Sequence, residues 1–188
     1  MKNRATVGLM LAVMTMLSGT VCGSAPALAS DAAAKKIPLS PAATASVSLQ
    51  GKNITINYSA PSMRGRPIMG TLVPYDKVWR TGANAATTFT TATDLIVGTT
   101  SIPAGTYTLY TLPSEKTWKL IINKEIGQWG TVYNEAQDLI RVDMKKADLS
   151  APQEVMTIGF ENTQGGKTEL HIRWEKTDVS VPVARTRP

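Results

Sequence analysis

The sequence predicts an all-β fold: an antiparallel, jelly-roll-like β-sandwich of about nine short strands with one long irregular loop segment. Three observations predict it. Apolar and polar side chains alternate with a period of two along much of the chain. Turn residues punctuate that alternation at short, regular intervals. No stretch of the expected domain carries the three- and four-residue apolar spacing of an amphipathic helix.

The first alternation places Val47 and Leu49 on one face and Ser46, Ser48 and Gln50 on the other, and Gly51-Lys52 turns the chain. Ile54, Ile56 and Tyr58 then alternate with Asn53, Thr55 and Asn57, completing a hairpin pattern. Thr87 to Thr93, rich in Thr around Phe89, predicts a strand, and 94–98 a short apolar continuation. Pro103-Ala104-Gly105 turns into a strand over 106–112. The run 117–123 holds Leu120-Ile121-Ile122, apolar on both faces as a central strand is. Further strands are expected at 139–144 and 154–161. Gly165-Gly166 then turns into 168–174, with Leu170, Ile172 and Trp174 on one face, and Val179, Val181 and Val183 close the pattern.

Ahead of the domain, Lys2 and Arg4 precede an unbroken apolar stretch from Val7 to Leu17, and Ala27-Leu28-Ala29 fits the A-x-A cleavage pattern. Residues 1–29 therefore read as a signal peptide. The apolar stretch falls short of the roughly 20 residues that span a bilayer. Residues 30–45, rich in Ala, Pro and Lys without period, read as a flexible leader, and 46–188 as one β-sandwich domain. The expected location is periplasmic or secreted. Lipidation at Cys22 fits poorly, because Val21 stands where a small residue belongs.

Cleavage at Ala29 would remove the only cysteine. Disulfides, thiolate nucleophiles and Cys-based zinc sites are then excluded, and a chain of this length buries roughly 70% of its unfolded surface without staples. Taking Lys2 and Arg4 from the 20 basic residues leaves 18 against 14 acidic, a net +4. That charge is scattered, with no basic stripe interleaved with aromatics, so nucleic acid is not an expected partner. The oligomeric state is not legible.

Residues 60–85 carry Arg64, Arg66 and Arg80 among glycines and prolines, with no sustained period. A long irregular segment inside a compact domain is a functional loop or a cover over one end. The Arg guanidinium is a planar fork suited to carboxylate, phosphate or sulfate. Gly82 and Asn84 tolerate left-handed backbone. Converging Arg64, Arg66, Arg80 and Asn84 would make an anion site; otherwise these arginines tie loops to Asp76, Asp94, Asp138 or backbone carbonyls.

Gly127-Gln128-Trp129-Gly130 flanks a Trp with little side chain. Trp129 suits a flat platform for sugars or peptides, or a lid over the sandwich end, the commoner fate of so buried a residue type. His171, the only histidine, falls on the polar face with Glu169 and Arg173, where solvation is expected. A triad using it lacks a Gly-x-Ser-x-Gly elbow. Glu135 and Asp138 lie three apart without a calcium-loop pattern, so no metal or cofactor is expected. Asn53-Ile54-Thr55 matches a glycosylation sequon on a strand.

The chain resembles the bacterial family called domain of unknown function 2911. The resemblance rests on Tyr58-Ser59-Ala60-Pro61-Ser62-Met63-Arg64-Gly65-Arg66, Leu72-Val73-Pro74-Tyr75, Val78-Trp79-Arg80-Thr81-Gly82-Ala83-Asn84, Pro103 to Tyr110 and Gly127-Gln128-Trp129-Gly130. It runs from about Ser40 to Val183. It implies an exported β-sandwich and no activity. The family's motif residues fall here on Trp79, Arg80, Gly82, Asn84, Trp129, Tyr133 and Asp138. Family members commonly have Glu after the Asn, where this chain has Ala85, and Gly where it has Asp76. If that Glu were a catalytic acid or base, this chain would be a poor catalyst.

The expected function is an envelope binding module for a polar or anionic small molecule or glycan. Arg64, Arg66, Arg80 and Asn84 would supply polar contacts, Trp79, Trp129 and Tyr133 the walls. The alternatives are a hydrolase or lyase using Asp138 or Asp76 near Arg80, and a structural partner in an envelope assembly.

Overall fold

The computed structural model describes residues 38–186. The expected signal peptide, Cys22 and the leader up to residue 37 lie outside the described residues. The fold is all-β, and every ladder between its strands is antiparallel. Its strands are β1 (Ala42–Leu49), β2 (Lys52–Ser59), β3 (Thr87–Thr91), β4 (Leu95–Val97), β5 (Thr100–Ile102), β6 (Gly105–Leu112), β7 (Trp118–Asn123), β8 (Asp138–Gln164) and β9 (Lys167–Arg185). They hydrogen-bond in the order β1-β2-β3-β6-β7-β8-β9-β4-β5, an open sheet rather than a closed barrel. No helix among the described residues is long and apolar enough to cross a membrane.

The β1–β2 hairpin follows from its turn chemistry. Gln50 and Gly51 take φ of 51° and 78°, the left-handed pair that matches a two-residue turn to strand twist. The turn therefore sits one residue earlier than Gly51-Lys52. Strand β1 also begins at Ala42, because Ala42 to Ala45 pair with Ser59 to Ile56; small residues carry no alternation to announce this.

Two strands are far longer than the sequence suggests. The runs expected at 139–144 and 154–161 are parts of β8, and those at 168–174 and 179–183 are parts of β9. Polar residues and Pro152 interrupt the apolar period between them, but the ladder absorbs the interruption through register shifts between Asp148 and Gln153 and between Gln153 and Thr157. Such bulges bend a strand without ending it. The start of β8 pairs with β7, from Trp118↔Met144 to Asn123↔Asp138, and its remainder pairs with β9 from Lys145↔Ser180 onward. The sheet thus turns over on itself, bringing β1 toward β8 and β9.

One core fills the space between. Leu49, Ile54, Ile56, Phe89, Leu109, Leu120, Ile122, Ile158, Ile172 and Val181 are all buried in it. At one end it holds an aromatic group: Trp79 stacks on Trp174 with ring centres 6.0 Å apart and 15° between planes, and meets Trp118 edge-on at 6.4 Å.

Candidate functional site

The irregular segment 60–85 is fixed mainly by backbone groups. Met156 N donates to Pro61 O at 2.9 Å and Met63 N to Glu154 O at 2.8 Å, so this stretch pairs briefly with β8. The Glu154 carboxylate accepts from Arg64 N at 2.8 Å. The Glu175 carboxylate accepts from Ile68 N and Met69 N at 3.2 and 3.1 Å. Buried Ile68 and Val73 pin the loop apolarly. Trp79 and Thr111 exchange backbone bonds of 2.8 and 2.9 Å.

The three arginines have different environments. Arg64 donates to Leu39 O at 2.6 Å. Arg66 donates to Met63 O and Ser62 O at 2.9 and 2.8 Å, capping its own loop. None of the three pairs with Asp76, Asp94 or Asp138. Arg80 is different: its Nε is buried without a hydrogen-bond partner, and no ion pair holds its guanidinium among the described residues.

Arg80 lines a cavity of about 220 Å³ with Arg66, Ser40, Leu72, Trp79 and Trp174, and no carboxylate is in its lining. Trp79 is only 8% exposed and belongs chiefly to the core, while also lining this cavity. The backbone after it is strained. Thr81, buried and β-branched, takes φ 53°, and Asn84 takes φ 60°. Left-handed β-branched residues are rare and persist where surroundings dictate them. Here the Thr81 hydroxyl meets Thr111 Oγ1 at 3.0 Å, and Thr87 Oγ1 donates to Thr81 O at 3.0 Å. Gly82 has no left-handed angle. It serves close approach instead, since a Cβ there would lie 3.1 Å from Ser59 O.

The Trp129 loop meets this segment in space. Ala85 and Trp129 form a backbone bridge, and Gly130 N donates to Asn84 O at 3.2 Å. Gly130 packs directly on Arg80: a Cβ there would lie 2.2 Å from Arg80 Cδ. Trp129 itself is 59% exposed. It is therefore no lid over the core; the backbone bridge places it on the surface, with Ile126 and Val132 also exposed nearby.

The chain matches, over residues 40–183, the family model described as "Protein of unknown function (DUF2911)". The chain belongs to this family. Comparisons with curated proteins and with solved structures give no match. Two of the five stretches that carry the family resemblance, Val78–Asn84 and Gly127–Gly130, touch in space.

The remaining family positions, Tyr133 and Asp138, form a separate polar knot. Asp138 accepts from Asn123 Nδ2 at 2.8 Å, Tyr133 Oη at 2.6 Å and Arg141 Nε at 2.6 Å. Arg141 also donates to Tyr133 Oη at 2.6 Å and pairs with Glu135 at 2.8 Å. Burial, reinforced by the bond to Asp138, raises the Tyr133 phenol above its usual value. The bond to Asp138 raises Arg141 likewise. Tyr133 packs edge-on against Tyr110 at 5.1 Å, and Tyr110 Oη donates to Val132 O at 2.7 Å. The contacts of Tyr133 and Val132 tie the 124–134 loop to the sheet. Asn123, Tyr110 and Arg141 carry no sequence signal for this role, because each looks like an ordinary strand position.

His171 is not solvated as its polar-face position suggests. Its Nδ1 lies 2.9 Å from Asp178 Oδ1, and its Nε2 faces Glu169 and Glu161 carboxylates at 3.6 and 3.9 Å. Arg173 forks onto Glu161 and Asp178 beside it. Neighbouring long side chains from β8 and β9 cover the ring. Arg173 holds the Glu161 carboxyl below its usual range. Among the described residues no Ser bonds to His171, so they form no triad around it. No group of three or more His, Cys, Asp or Glu among the described residues is arranged to hold a metal ion.

Proposed function

We propose that this protein binds a small anion-bearing molecule in the Arg80 cavity. The observation that carries this reading is that Arg80 lines a cavity while finding no hydrogen-bond or ion-pair partner among the described residues. A buried donor left unmatched costs about 1–3 kcal/mol, so a fold that keeps one gains something elsewhere. A carboxylate, phosphate or sulfate would satisfy the fork, with Leu72, Trp79 and Trp174 as apolar wall. At about 220 Å³ the cavity falls below the usual range for drug-sized ligands, so the molecule is small or only partly enclosed.

Export by residues 1–29 would place this site in the envelope or outside the cell. The hydrolase or lyase reading finds little support in the geometry. The Arg80 cavity offers no general base, and Asp138 is committed to Asn123, Tyr133 and Arg141.

The test is thermal unfolding of wild type and Arg80→Met against phosphate, sulfate, short aliphatic carboxylates and aromatic carboxylates. A ligand at 100 times its Kd adds about 2.7 kcal/mol. For a domain of this size each kcal/mol moves Tm by roughly 2–4 °C. The proposal expects a shift in wild type that Arg80→Met abolishes. A flat panel, or a shift that survives in Arg80→Met, overturns it.

A further inference from the structure

A second surface, separate from the Arg80 cavity, is polar throughout and yet uncharged. Alternation on β1, β2 and β3 sends Leu49, Ile54, Ile56 and Phe89 into the core. The opposite face then displays aligned polar residues. One rung runs Thr44↔Asn57↔Thr88 across the three strands. The next runs Ser46↔Thr55↔Thr90 and continues to Thr106 on β6. Ser48↔Asn53 adds a third, shorter rung. No outward position of these strands is charged, although the whole chain carries +6.

This plane has a raised border. The 124–134 loop crosses the outer side of β6 and β7, where Thr108 donates to Glu125 O at 2.7 Å and Gln128 Nε2 donates to Tyr110 Oη at 2.9 Å. Ala86 N reaches Gln128 O at 3.4 Å, and Ala85 bridges to Trp129. Ala85 and Ala86 share a hollow of about 220 Å³ with Asn57, Ser59 and Thr88. The exposed Trp129 belongs to this bordering loop, its backbone bridged to Ala85 beside the hollow.

We propose that this face, with Trp129 at its border, docks an uncharged polysaccharide chain. Its chemistry selects that occupant. Nucleic acid or anionic lipid requires Lys or Arg at the contact, and the three rungs hold neither. A protein interface core is apolar and aromatic, whereas this plane is hydroxyl and amide. Sugar hydroxyls both donate and accept, as Thr, Ser and Asn do. Strands spaced about 4.8 Å apart, with outward residues about 6.8 Å apart along each, offer a bond every few ångströms to an extended chain. The apolar C–H face of a sugar ring suits the flat, amphipathic indole of Trp129.

The test titrates the protein with cellohexaose, chitohexaose and maltohexaose, following Trp emission and heat. Trp79, Trp118 and Trp174 are buried at 8%, 1% and 2% exposure, so a quench or blue shift reports Trp129. The proposal expects saturable binding of at least one oligosaccharide. Trp129→Ala and Thr55→Lys should each weaken it tenfold or more, with Tm unchanged because both sites face outward. Arg80→Met should leave it intact, which separates this proposal from the anion site. Absence of binding across the panel overturns the proposal. So does binding that Thr55→Lys leaves unchanged, or self-association through this face without any glycan binding.

Discussion

Replacing Gly130 with alanine puts the contact between the two motif loops under direct load. A Cβ there would lie 2.2 Å from Arg80 Cδ and 2.6 Å from Asn84 O. Carbon–carbon contacts settle at about 3.5–4.0 Å, so the Arg80 side is short by roughly 1.3 Å. The Arg80 stem can rotate. The Asn84 oxygen cannot, since it is backbone and already accepts from Gly130 N at 3.2 Å. The loops must therefore part. Overpacking costs about 1–3 kcal/mol, and the lost hydrogen bond about 0.5–1.5 kcal/mol. Stiffening the unfolded chain returns about 0.4–1 kcal/mol. The net, about 0.5–4 kcal/mol, lowers Tm by roughly 1–16 °C at 2–4 °C per kcal/mol. Thermal unfolding followed by circular dichroism measures it. Gly159→Ala is the control, because nothing lies within 4 Å of a Cβ at that strand position. A Gly130→Ala midpoint equal to that of Gly159→Ala would refute the reasoning, and with it the claim that these loops press together.

Four further outcomes are expected. Arg80→Met should not lower Tm in the absence of ligand, and a fall of several kcal/mol, as for a broken buried ion pair, would make Arg80 structural. Trp79→Ala should cost about 3–5 kcal/mol in a denaturant titration, since it removes the centre of the three-Trp group. Arg173 depresses the Glu161 carboxyl, so the stability Glu161 contributes is present above the ordinary carboxylate range and is lost as pH falls through its lowered value. Glu161→Gln should flatten that acid limb of a stability–pH curve. Tyr133 is raised, so its contribution is whole below about pH 10 and is lost as pH rises further. Tyr133→Phe should remove that alkaline loss while lowering stability near neutrality by about 1 kcal/mol.

How much of this was legible in the sequence varied by element. The β1–β2 hairpin and β6–β7 were readable, because half-buried and central strands write their burial into a two-residue period or an apolar run. The continuity of β8 and β9 was not, because bulges let a ladder run through Lys145, Lys146 and Pro152 where the apolar period stops. Strand β5, three residues long, is too short to show a period. At the site, Arg80 and its glycine-rich neighbourhood were readable as chemistry. What sequence could not distinguish was an arginine bound to carbonyls, such as Arg66, from one without a partner, such as Arg80. That difference lies in tertiary geometry alone. The same holds for tryptophan: Trp79 sits in the core and Trp129 on the surface, though both lie in glycine-containing motifs.

The central claim is that the Arg80 guanidinium is held ready for an anion, and nuclear magnetic resonance of the arginine side chains tests it most directly. Guanidinium signals of the nitrogen-15-labelled protein would be followed during titration with inorganic phosphate and with an aromatic carboxylate, the Arg80 signal being assigned by its loss in Arg80→Lys. The account predicts a saturable shift of the Arg80 signal, with that of Arg173, already paired to Glu161 and Asp178, unmoved. An Arg80 signal that stays still with both anions, or moves no more than that of Arg173, would contradict it.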